Sequence, residues 1–200
     1  KTIPFDKIRL EDYLPSVKEA IKRHDAEIEA IVNNPNPANF ENTIVALERS
    51  GKYLSRVQYA FYNLLSAETS AEMDSIANEI SPLETEHSNN ITLNENLFKR
   101  IADVYAQKDS LNLTNEQRQL LQKQYDMFVN NGANLSAENK EIYRKLCKKI
   151  SLLELQFAQN VLNATNQYKL VVSEESRLDG LPQTLKDVAA EKAKPKGESG

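Results

Sequence analysis

The longest regular alternation of apolar and polar positions lies between Asn39 and Leu65. Phe40, Ile44, Leu47, Gly51, Leu54, Val57, Phe61 and Leu64 follow one another at intervals of three or four residues. That is the 3.6-residue rhythm of one helical face, kept for about seven turns. Gly51 falls in phase with it, so the pattern predicts one long helix over about 39–66, with Gly51 as a close-packing point costing about 1 kcal/mol relative to Ala. The alternative is two helices broken at Ser50–Gly51. A second long pattern, Ile142, Leu146, Ile150, Leu153, Phe157, Val161 and Ala164, predicts another long helix over about 136–166, opened by Ser136 and with its apolar face in a core.

The remaining elements follow from punctuation. Residues 1–12 look irregular, with Ile3, Phe5 and Ile8 free to dock on the body. A first helix opens at Leu14–Pro15, since proline suits the first helical position. It ends at Asn33–Asn34, before the stiff stretch NNPNPAN. Ser70 to about Asn89 reads as a helix that Pro82 should kink or divide. Asn94 caps the next, and Thr114 with Gln117 forms a capping box for the one after, which stops at Asn130-Asn131-Gly132. Short connections predict antiparallel neighbours. Tyr168–Val172 carries the clearest strand signal, and without a partner it is an extended segment. A last helix spans about Pro182–Lys194, and the polar end, residues 194–200, is expected to fray. The expected fold is an all-α antiparallel bundle of six to seven helices. Its expected division is a helical lobe over 1–166 and a strand–turn–helix segment over 167–200.

Composition narrows the function. The chain has 200 residues, 5 Gly, 7 Pro and no Trp, a balance that suits helices. A net charge of -4 argues against nucleic acid. No apolar run is long enough to span a membrane, and the first residues show no signal-peptide core. The single cysteine, Cys147, reads as a small buried hydrophobe. With two histidines, His24 and His87, the chain lacks H-E-x-x-H, and it has no G-x-S-x-G or phosphate-binding glycine loop. Glu84 and His87 form one E-x-x-H, a spacing that di-iron bundles need twice, so a hydrogen-bonded structural His87 is the favoured reading. The sequons at Asn90, Asn112, Asn134 and Asn163 are better explained by turns and caps. The residues alone therefore nominate no catalytic, metal-binding or substrate-binding side chain.

An ordered set of short motifs adds to this. Phe40-Glu-Asn-Thr-Ile44 and Ala46-Leu-Glu-Arg-Ser-Gly51 resemble the opening signature of the thimet oligopeptidase family of zinc metallopeptidases, most closely its bacterial peptidyl-dipeptidase and oligopeptidase A branch. Pro4–Ile8 with Tyr13 and Pro15, Pro82-Leu83 with His87 and Ile91, Leu97-Phe98-x-Arg100-Ile101, Asn131-Gly-Ala-x-Leu135, Leu153-Glu-Leu-x-Phe157-x-x-Asn160 and Asp179-Gly-Leu-Pro182 resemble later segments in the same order. Asn39 departs from the family's usual Thr, although either caps a helix. The resemblance implies an N-terminal helical domain forming one wall of a peptide channel. Zinc and its H-E-x-x-H would lie in a catalytic domain beyond residue 200, the expected partner together with an oligopeptide substrate. It leaves open whether the parent is cytoplasmic or periplasmic, and implies exposed apolar surface on a lobe separated from that partner. The alternative function is a free-standing helical interaction module.

Overall fold

The computed structural model describes residues 3–194. Among them the helices are α1 (Leu10–Val32), α2 (Ala46–Arg49), α3 (Lys52–Ala67), α4 (Ala71–Thr92), α5 (Glu95–Ala106), α6 (Asn115–Asn130), α7 (Ala137–Gln167) and α8 (Gln183–Ala193). Single 3₁₀ turns occupy Phe5–Lys7 and Glu175–Leu178. No strand occurs among the described residues, so the fold is all-α and 168–172 is an irregular segment.

Local chemistry sets most boundaries where the sequence places them. The side chains of Ser70, Asn94 and Thr114 accept the backbone N–H of Met73, Leu97 and Gln117, and Ser136 accepts that of Asn139. Each satisfies a donor that a helix start leaves free. Pro82 sits inside α4 without dividing it. The start of α1 differs from expectation. It opens at Leu10, ahead of Pro15, because the Asp12 carboxylate accepts the Arg9 N–H at 2.9 Å and closes the first turn early.

The predicted continuous helix over 39–66 is broken. It begins as a wide π-helical turn, Phe40–Val45, held by reciprocal bonds between Asn39 and Asn42. After α2 the chain turns extended at Ser50 (ψ 163°) and left-handed at Gly51 (φ +69°) before α3 begins. The apolar rhythm continues through the break, and α1 packs against the helices on both sides of it. Gly51 is nevertheless a close-packing point: a Cβ there would lie 2.7 Å from Cε1 of His24.

The chain divides into two compact units, Lys1–Gln156 and Phe157–Gly200. In the first, α1 packs on α3, α4 and α5, and α5 packs on α6. Two buried clusters result. One gathers Ile28, Ile31, Phe40, Ile44, Leu97, Ile101, Val104, Leu121 and Phe128. The other gathers Tyr13, Val17, Ala60, Phe61, Met73, Ala77 and Ile80, with Ile3 and Ile8 packed against it, while Phe5 stays exposed. Three elements serve both clusters. Helix α1 gives Val17 to one and Ile28 to the other, the 40–67 stretch gives Ile44 and Phe61, and α4 gives Ile80 and, at its far end, Ile91.

The expected buried face of the last long helix is corrected. Ile142, Leu146, Ile150 and Leu153 are each about half exposed (50%, 52%, 51% and 51%). Polar contacts fix the start of α7 instead. Lys140 reaches Glu95 at 2.9 Å, Arg144 reaches Asn90 at 2.7 Å, and Tyr143 reaches Asn131. Cys147 is partly exposed rather than buried. In the second unit none of the described residues 157–194 is buried, and Phe157, Tyr168, Leu170 and Leu185 all face solvent. The fraying expected over 194–200 lies, past Lys194, outside the described residues.

Candidate functional site

The chemistry-bearing side chains converge where α1, the α2–α3 break and α4 meet. His24 lies at mid-length in α1, between Val17 and Ile28. Its Nε2 is 3.1 Å from Ser50 Oγ and its Nδ1 is 2.9 Å from Nε2 of His87. The two rings meet edge to face with centroids 4.9 Å apart. The Nδ1 of His87 is 2.9 Å from an Asp25 carboxylate oxygen, which is pairing distance but off the line of the N–H bond. Glu27, three residues after His24 on α1, accepts the Gly51 N–H at 2.7 Å. His87 is 5% exposed, whereas Asp25 reaches solvent.

An Asp–His–His–Ser sequence invites comparison with a nucleophilic triad, and hydrogen-bond directions exclude it. Ser50 Oγ lies 2.7 Å from the Leu47 carbonyl, which has only lone pairs to offer, so the hydroxyl proton points there. Ser50 is then an acceptor toward His24, the reverse of what a base-activated serine requires. The nearest N–H that could stabilise an oxyanion, that of Gly51, is already held by Glu27. The arrangement is a structural clasp on the α2–α3 break.

The other pairings follow the same pattern. Glu84 does not join His87 at a common site. It accepts the Tyr62 hydroxyl at 2.6 Å, and burial raises both groups above their ordinary values. Among the described residues no group of three or more His, Cys, Asp or Glu could hold a metal ion. Beside the clasp an open cleft of about 370 Å³ is lined by Glu27, Asn34, Asn42, Arg49 and Ser50 among others. Sequence reasoning treated the histidines separately and missed Asp25 and Ser50. The signals were His24-Asp25 adjacent on one helix and Ser50-Gly51 at a helix end, but 63 positions separate the two rings.

Comparison with known proteins supplies what the site does not. No family model matches the chain. The chain is 37% identical over 193 residues to the dipeptidyl carboxypeptidase of Salmonella typhimurium, and 35% identical to that of Escherichia coli. Each match covers 96% of this chain and 28% of the relative. The chain is an N-terminal region of the thimet oligopeptidase family. Within that family the oligopeptidase A of Salmonella typhimurium is 25% identical over 197 residues, again covering 98% of this chain and 29% of the relative. The motifs that resemble the family extend along nearly the whole chain, and the matches do the same.

Proposed function

We propose that this chain is the non-catalytic N-terminal lobe of a zinc-dependent oligopeptidase or peptidyl-dipeptidase, in which it walls the substrate channel and admits only short peptides. The observation that carries the reading is the match to dipeptidyl carboxypeptidase along 96% of the chain at 28% of that protein's length. The zinc, its ligands and the water-activating carboxylate would belong to the remainder of the longer polypeptide. This chain's own residues would bind and position peptide backbone, keep bulk water from the reaction and exclude folded proteins by shape. The lobe would extend over 1–166, with 167–200 as the segment leading toward the catalytic domain.

The exposed face of α7 supports this reading. Ile142, Leu146, Ile150 and Leu153 make a contiguous apolar stripe of the kind that a neighbouring domain covers. In the full-length protein the double variant Leu146→Glu/Ile150→Glu is expected to lower kcat/KM for a short peptide at least tenfold with helical content retained, while Leu146→Met/Ile150→Leu stays near wild type. Unchanged activity in the charged variant would contradict the docking.

A further inference from the structure

We propose that the Asp25–His87–His24–Ser50 chain is a one-proton latch across the seam between the two cores, closed while the imidazole pair carries one proton more than two neutral rings and opened when it takes another. The inference is independent of the peptidase reading and rests on the directions of three hydrogen bonds and the close approach of one carboxylate.

Ser50 donates to the Leu47 carbonyl, so its oxygen accepts a hydrogen bond from the Nε2–H of His24. A neutral His24 with Nε2 protonated has a bare Nδ1, which accepts from Nε2–H of His87. The remaining nitrogen of His87, Nδ1, then faces the Asp25 carboxylate at 2.9 Å. The oxygen is off the line of the N–H bond, so what the contact offers is the pairing of opposite charges at close range rather than a directed hydrogen bond. Protonated, Nδ1 makes His87 an imidazolium paired with Asp25. The chain thus holds a single positive charge, located on His87, and His24 is neutral in one tautomer.

A further proton has nowhere to go. Placed on His24 Nδ1 it would set N–H against N–H at 2.9 Å and bring two cations into contact. From α1, Asp25 and Glu27 face His24; from α4, His87 faces it; from the α2–α3 break come Ser50 and Gly51. Glu27 is already engaged by the Gly51 N–H, and Arg49 lies along the same cleft. Burial, then the His87 charge, hold His24 below the ordinary imidazole value, with Glu27 and Asp25 opposing more weakly. A group whose folded value is depressed stabilises the fold fully above its unfolded value, about 6.5, and that stability is lost as pH falls through the lowered folded value.

Position makes this a latch. His24, the Ser50–Gly51 break and His87 mark where α1, the 40–67 stretch and α4 each pass from one cluster to the other. The His24 ring also fills the space that a side chain at Gly51 would need. Moving the ring releases the one point where the backbone between α2 and α3 is left-handed.

The test is nitrogen-detected imidazole NMR on the 200-residue chain between pH 4.5 and 8, alongside amide exchange corrected for its intrinsic pH dependence. At pH 7 the expected signature is His24 protonated only on Nε2 and His87 on both nitrogens. On acidification His24 titrates, and protection of the Gly51 and Ser55 amides, bonded to Glu27 and to the Gly51 carbonyl, falls at least tenfold in step, while Ile101–Val104 stays protected. His24→Gln should abolish that acid step, and Asp25→Asn should leave both imidazoles neutral at pH 7. An Nδ1–H tautomer at His24, a neutral His87 in the wild type, or an acid step that persists in His24→Gln would overturn the proposal.

Discussion

Gly51 concentrates two requirements in one residue: a left-handed backbone and a surface without a Cβ against the His24 ring. An L-residue in that conformation costs about 1–2 kcal/mol before any steric term. Gly51→Ala should therefore destabilise the chain by more than about 2 kcal/mol once the ring is displaced, as denaturant titration would measure. A loss under about 0.5 kcal/mol would show that the break relaxes freely. Glu84 carries the opposite sign. Burial raises its carboxyl above the ordinary value, so the group favours the fold at acid pH and costs stability as pH rises through the raised value. Glu84→Gln keeps an acceptor for Tyr62 and removes the buried charge. It should leave stability at pH 7 unchanged or raised by up to about 1 kcal/mol, and flatten the decline on the alkaline side of the ordinary carboxyl value. Marked destabilisation at pH 7 would contradict this account.

Helices α5 and α7 show how differently two amphipathic elements can be used. Leu97, Ile101 and Val104 of α5 are wholly buried, whereas the corresponding stripe of α7 is half exposed. Leu97→Ala should cost about 2–5 kcal/mol through lost burial and a residual cavity. Ile150→Ala in the same chain should fall within about 1 kcal/mol; thermal or denaturant unfolding distinguishes the two. Periodicity made both faces legible as apolar and could not say which was covered, because burial depends on what lies opposite. Caps were more legible. Ser70, Asn94, Thr114 and Ser136 act on N–H groups three residues away, so the local sequence holds the whole interaction. The break at Ser50–Gly51, the alternative reading of the pattern, was outweighed by an apolar rhythm that continues through it. Its causes, His24 and Glu27, sit on another helix.

At the scale of the whole molecule, the absence of H-E-x-x-H and the ordered family motifs together carried the functional reading. Tertiary geometry brought the two histidines together and gave them a structural clasp. The exposed stripe on α7 and the exposed apolar residues of 157–194 are surfaces for which the longer relatives have sequence to spare: the matches cover 28% of dipeptidyl carboxypeptidase. If the lobe walls a peptide channel, a bound peptide must touch it. The most direct measurement is photo-crosslinking of a short peptide bearing a photoreactive residue to the full-length protein, with attachment sites mapped by mass spectrometry. The account predicts attachment within residues 1–166, suppressed by excess unlabelled peptide. Specific attachment confined to the rest of the polypeptide would contradict it.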